Sequence, residues 1–214
     1  MGQIFRPVAD IVTTTIPRVM RAGGDAVGDL SKKFGTKVDL DVAAIRGIDK
    51  FDKYTMTPTR RRREDARGDD AVTQDALDAE FDRQLDEQLA ALGRIDLATW
   101  RAAMDGNRTR PPGSIAEQRR ILDQANESAE IRADLIERGL DPDFVAATHR
   151  LDGIAGGDWL DISGVGDRSI NSSLGSQWRA RIPQLTAAVD AFADLHPDVD
   201  LGSVNMDIFI PFLR

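Results

Sequence analysis

Apolar positions in this chain recur at three- and four-residue intervals almost throughout, and hardly anywhere at intervals of two. The clearest run is in residues 71–92, where Leu77, Phe81, Leu85, Leu89 and Leu92 fall on one side of a helix and Gly93 follows as a stop. The opposite side of that helix is strongly acidic. "DLATWRAAMDG" predicts a shorter helix with Asp96 as its N-cap and Gly106 past its end. Ser114 and Glu117 make a capping-box pattern. It predicts a long helix to about Arg138, with Ile115, Leu122, Ala125, Ile131, Leu135 and Ile136 as candidate core and Gly139 as its close. Asp141-Pro142 has the chemistry of an N-cap and first helical position, so the next helix is expected to run through His149. Asp167 is placed to cap a helix through Trp178, and a further helix is expected from near Pro183.

The remaining segments are weaker. Residues 36–58 read as a short helix and a loop into Pro58. The tail "VNMDIFIPFLR" reads as a final strand or a packed terminal segment. No alternating pattern supports a sheet of any size. The fold class is therefore mainly α, a compact domain of about six to eight helices. Residues 1–35 are set apart as an N-terminal amphipathic helical arm, and residues 36–214 as the main domain. In the arm, Ile4, Phe5, Val8, Ile11, Val12, Ile16, Val19 and Met20 keep helical spacing, with Pro17 as a break or kink within it. Gly24 and Gly28 follow in a small-xxx-small spacing. The arm is read as docking on the domain or on a partner, with membrane activity as the minority reading.

Composition narrows the chemistry. The chain has 214 residues, 41% of them hydrophobic and 30% charged, as expected of a globular protein. It has no cysteine, which removes disulfides, thiolate zinc sites and thiol catalysis. The net charge of −8 argues against passive binding to nucleic acid, but less against an enzyme that meets a few phosphates through a local basic patch. No run approaches the roughly 20 apolar residues of a spanning helix. The first residues lack a continuous apolar signal core and a cleavage site, so no signal peptide is expected, and any export would take a route that needs none.

The basic patch has one obvious candidate, the four consecutive arginines Arg60–Arg63. They are either a solvated helix face or a phosphate contact, since guanidinium forks match phosphate oxygens. The reactive candidates are His149 and Asp152. On a helix, residues three apart share a face at about 5–6 Å. An imidazole beside a carboxylate can act as a general base or hold a divalent cation. By spacing alone this pair is as readily a helix end. The other histidine, His196 in "LHPDVD", reads as a helix end before a turn.

The segment from His149 to Gly157, followed by "GVGDRSINSSLGSQWRARI", closely resembles the polymorphic toxin type 15 domain. That family is the HxxD nuclease domain of antibacterial toxins, including DNase effectors delivered by type VI secretion. Its usual motif runs His-Asn-Pro-Asp, a Gly-Gly pair, then a block ending in GSQW. His149, Asp152, Gly156-Gly157, Gly166-Asp167, Asn171-Ser172-Ser173 and Gly175-Ser176-Gln177-Trp178 match it, while Arg150-Leu151 stand where Asn-Pro is common. The matching stretch covers residues 148–182.

The resemblance implies a metal-dependent DNase hydrolysing phosphodiesters with Mg²⁺ or another divalent cation. His149 is its base or a metal ligand, and Asp152 is the preferred ligand of the two. Asn171, Ser172, Gln177, Arg179, Arg61 and Arg62 are candidate substrate contacts, with Arg181 a further cation near them. Asp158 and Asp161 are additional carboxylates near the pair, and Trp178 is read as core. The implied partners are DNA, a cognate immunity protein and a secretion adaptor, chaperone or spike protein, with a transient membrane contact by residues 1–35. Such a protein is made in the bacterial cytoplasm and acts in that of a target cell. RNA as substrate, a membrane-active toxin working through residues 1–35, and a non-catalytic binding module are the alternatives.

Overall fold

The computed structural model describes residues 47–105 and 110–214. The expected arm, its boundary at residue 35 and the Gly24/Gly28 spacing lie outside the described residues. Among those described, the chain forms seven α-helices and a two-stranded sheet. In order these are α1 (Pro58–Asp65), α2 (Gln74–Leu92), α3 (Leu97–Asp105), α4 (Pro112–Glu127), α5 (Ala129–Glu137), β1 (Val145–His149), β2 (Ile162–Asp167), α6 (Arg168–Leu195) and α7 (Ile210–Leu213). The mainly α expectation holds. None of these helices is long and apolar enough to cross a membrane.

The described residues fall into two compact units. One comprises Phe51–Leu92 and the described part of Gly106–Ile182; the other comprises Gly93–Asp105, Pro183–Arg214 and the described residues up to Lys50. The first is organised by α2. Its expected stripe, Leu77, Phe81, Leu85, Leu89 and Leu92, is buried, each such side chain contributing about 1.5–3 kcal/mol. Glu80, Gln84 and Gln88 are buried too, a polar row that the apolar spacing does not reveal. Glu80 accepts from Arg83, Gln84 and Arg138. Burial opposes its charge, but Arg83, Gln84 and Arg138 hold its carboxyl below the usual carboxylate range.

In the second unit, Leu97, Trp100, Leu185, Val189, Phe192, Met206, Phe209 and Leu213 are buried. Asp96 caps α3 as expected, accepting from the Thr99 backbone at 2.8 Å. The chain around α3 is tied to the C-terminal segment by Leu97 N–H to the Val204 carbonyl and Met206 N–H to the Ile95 carbonyl, each 2.8 Å. The tail packs as a 3-10 turn and α7 rather than as a strand.

Several expected elements change character. The helix expected from Pro142 through His149 is instead a turn and strand β1. Asp141 spends its capping capacity on the turn, accepting from the Asp143 and Phe144 backbone. The following Val-Ala-Ala-Thr-His run then pairs antiparallel with β2 inside the glycine-rich segment, so a small sheet exists where none was expected. The helix expected to reach Arg138 breaks at Ser128, which turns extended (φ −85°, ψ 112°) and caps α5 through its own hydroxyl. Ser114 is not a cap either: α4 begins at Pro112, and the buried Ser114 accepts from Arg110 Nε at 2.8 Å. Ile115 and Ile136 are exposed, at 54% and 62%, not core. The two helices expected on either side of Pro183 are one, α6, because proline forfeits a single helix bond without stopping a rod buried on both sides of it. Residues 47–57 carry no helix.

Candidate active site

β1 brings His149 to the end of a ladder. Val145 pairs with Asp167, Ala146 with Gly166, Ala147 with Val165 and Thr148 with Gly164, but His149 pairs with Ile162. The step skips Ser163 and leaves a bulge beside the histidine, a device that re-aims a side chain at a strand end. The His149 residue is only 9% exposed. Its Nε2 lies 3.1 Å from the Gln118 amide nitrogen, on α4, and 3.2 Å from the Trp159 carbonyl oxygen. Trp159 also meets the imidazole edge-on, with centroids 6.0 Å apart. The indole lies where a side chain at residue 153 would be: a Cβ on Gly153 would stand 2.3 Å from its ring carbons.

Asp152 follows on a turn, not on the same helix face as His149. Its Oδ1 accepts from Ile154 N at 2.8 Å and caps the 3-10 turn Gly153–Ala155. Its carbonyl accepts from Ala155 N and Gly157 N, at 2.8 and 3.0 Å. Gly156 closes the turn at φ 102°, a left-handed conformation that glycine adopts without strain. Arg150 and Leu151 hold the link between the pair by other means than an Asn-Pro turn. Leu151 is buried, Arg150 N donates to the Asp161 carbonyl at 3.0 Å, and the Arg150 guanidinium meets the Asp161 carboxylate at 3.2 Å.

The other carboxylate oxygen of Asp152 faces α6. A Cβ on Gly175 would stand 3.1 Å from Asp152 Oδ2. The HxxD turn and the GSQW block therefore meet at this point. Asn171 and Ser172 are one helical turn before Gly175, and Arg179 one turn after it, all on that side of α6. Arg179 and Ser172 are exposed and Asn171 is half-buried. Gln177 lies around the helix from them. Its amide exchanges two 2.8 Å hydrogen bonds with the Asp52 backbone and so ties the segment leading to α1. Trp178 is core as expected, fully buried, with its indole N–H donating to Gln88 and its ring edge-on to Phe51 at 4.8 Å.

Asp167 caps α6, accepting from Ser169 N and Ile170 N at 2.8 and 3.1 Å. It also receives both guanidinium nitrogens of Arg60. Burial opposes the Arg60 charge, yet the Asp167 hydrogen bond and charge keep the guanidinium above its usual range. The arginine run is thus divided. Arg60 is an internal fastener, Arg63 lies over the Phe144 ring at 4.3 Å, and Arg61 and Arg62 are exposed on α1. Arg181 is buried and stacks on Phe51 at 4.3 Å. His196 lies beyond α6 against Phe192, with ring centroids 4.7 Å apart.

At Asp152 the described residues offer a divalent cation a single carboxylate oxygen and no protein cage. Among the described residues no group of three or more His, Cys, Asp or Glu could enclose a metal. Asp158 caps its own turn at Leu160, and Asp161 faces Arg150. Asp152 Oδ2, however, accepts no hydrogen bond from a described residue, and Oδ1 is fixed by the backbone. One oriented carboxylate oxygen suits Mg²⁺, which commonly keeps its waters and takes substrate oxygens rather than a protein cage. Gln118 and the Trp159 carbonyl are absent from the sequence reading. An aromatic residue in an Asp/Gly loop was a signal for the second; nothing in the spacing of α4 singles out the first.

A family model described as novel toxin 15 matches residues 75–202. No curated protein and no solved structure matches the chain. The matched span covers more than half of the sequence and takes in β1, the glycine-rich turn, β2 and α6 as one piece, and on that ground the chain belongs to the novel toxin 15 family of polymorphic toxin domains.

Proposed function

We propose that this toxin domain is a nuclease that hydrolyses DNA phosphodiesters, with His149 and Asp152 at its centre. The observation that carries the reading is the meeting of Asp152 Oδ2 with Gly175, which joins an oriented carboxylate to one face of α6, with the buried His149 three residues before it in the chain. His149 takes a proton from the attacking water. Asp152 would hold a divalent cation, which would supply charge stabilisation to the phosphate as water displaces the leaving oxygen. Asn171, Ser172 and Arg179 contact the phosphate backbone from α6, and Arg61 and Arg62 contact it from α1. Gln177 takes part by fastening the segment that leads to α1. The toxin acts inside a competing cell, and a cognate immunity protein guards the producer.

The test is plasmid digestion by the wild type, His149→Ala and Asp152→Asn, with Mg²⁺ and with chelator, and with RNA as a parallel substrate. Loss of DNA cleavage in both variants, with unchanged circular dichroism, supports the reading. Full activity in either variant overturns it. Preferential cleavage of RNA overturns the choice of substrate.

A further inference from the structure

Two groups from different elements converge on a single atom of His149. The Gln118 side-chain amide comes from α4 and the Trp159 carbonyl from the loop before β2, at 3.1 and 3.2 Å from Nε2. The other ring nitrogen, Nδ1, makes no hydrogen bond to any described residue. The two partners differ in what they permit. A backbone carbonyl only accepts, so the nitrogen facing it carries a hydrogen. A glutamine amide presents either end after a half-turn, and its oxygen and nitrogen occupy equivalent positions. The carbonyl therefore sets the sense of the clamp and the amide follows it, turning Oε1 to the ring, so that the two acceptors together hold the proton on Nε2.

We propose that Gln118 and the Trp159 carbonyl act as a tautomer clamp on His149: the neutral ring carries its proton on Nε2, and Nδ1 is left as the nitrogen that works on substrate. Gln118 is a positioning residue in this scheme. It rests on the reading of His149 as the base of a nuclease, and it adds which nitrogen does the work and what fixes it. The Trp159 ring supports the clamp from the side. It stands edge-on to the imidazole and is seated in the space left by Gly153, so the carbonyl and the ring move together. The general chemistry is familiar: the hydrogen bond at one imidazole nitrogen sets the state of the other.

The experiment is nitrogen-15 spectroscopy of the imidazoles in the full chain, for wild type, Gln118→Glu and Gln118→Leu, with plasmid digestion in parallel. Spectra are read where the His149 ring is neutral. The expected wild-type result is a protonated Nε2 and a bare Nδ1. Gln118→Glu keeps an acceptor at Nε2 and keeps that tautomer. Gln118→Leu gives a tautomer mixture and cuts cleavage by about 10–100-fold, with unchanged thermal unfolding. A proton on Nδ1 in the neutral wild type overturns the proposal, as does a Gln118→Leu variant with wild-type spectrum and activity. The tautomer is read without substrate, so cleavage surviving in His149→Ala sinks the nuclease assignment separately and leaves the spectroscopic result standing.

Discussion

Asp152 Oδ2 rests against Gly175 so closely that a methyl group on that glycine would stand 3.1 Å from the oxygen. The other oxygen of the carboxylate is tied to Ile154 N, so the small retreat that a methyl group would force turns the group out of its present orientation. Gly175→Ala is therefore expected to separate stability from activity. Alanine favours a helix interior by about 1 kcal/mol over glycine, so thermal unfolding is unchanged or rises. The displaced carboxylate lowers plasmid cleavage by about tenfold or more. Wild-type cleavage in this variant would show that the contact has no bearing on the chemistry.

Asp167 serves two elements at once, as the cap of α6 and as the partner of buried Arg60. Asp167→Ala removes the cap and strands the guanidinium. The expected loss is about 3–5 kcal/mol in denaturant unfolding, because an uncompensated buried charge remains. The double variant Arg60→Met/Asp167→Ala is expected to recover part of that loss. Equal instability of single and double variants would refute the stranded-charge account.

Asp207 has a buried carboxyl oxygen without a hydrogen-bond partner, and burial pushes its pKa up to about 6 from 3.8. A raised acid favours the fold in its neutral form. Its contribution is best below about pH 3.8, declines as pH rises to about 6, and stays low above that. Asp207→Asn is expected to unfold at a higher temperature than wild type at pH 7.5 and at nearly the same temperature at pH 4. A difference of equal size at both pH values would remove the titration from the explanation.

Glu80 slopes the other way. Burial opposes its charge, but Arg83, Gln84 and Arg138 hold its carboxyl below the ordinary 4.5. Its stabilisation is present above that pH and is lost as pH falls through the lower, folded value. Glu80→Gln should cost about 1–3 kcal/mol at pH 7 and flatten the acid side of the stability profile. An unchanged acid limb would place the acid-sensitive group elsewhere.

The sequence showed most clearly what local periodicity encodes. The stripe of α2, the Asp96 cap and the Asp167 cap all appear where spacing and capping chemistry put them. It misled where long-range pairing decides. Asp141-Pro142 has the residues of a helix start, but β1 finds its partner 22 positions on, in Val145 with Asp167, and no local pattern announces that. At the site, His149, Asp152 and the GSQW block were legible as a motif. Their meeting through the absent side chain of Gly175 was not, nor was the convergence of Gln118 and Trp159 on one nitrogen. Arg60 shows the limit of reading charge runs: it stands in a row of four arginines, yet only its neighbours Arg61–Arg63 are exposed.

The skipped Ser163 has a consequence for how the domain can vary. Up to Thr148 the two strands keep strict register, and their pairing depends on every residue being present. Beyond the bulge the count has already slipped by one, and Arg150 N donates to the Asp161 carbonyl, so the turn from Leu151 to Leu160 hangs between two ends that are held together. Insertions and deletions in that connection that spare Asp152, Gly153 and Trp159 can be absorbed without turning the buried side of either strand outward. The domain can thus diversify the rim of its site by changing length there while the strands that carry the histidine stay in step.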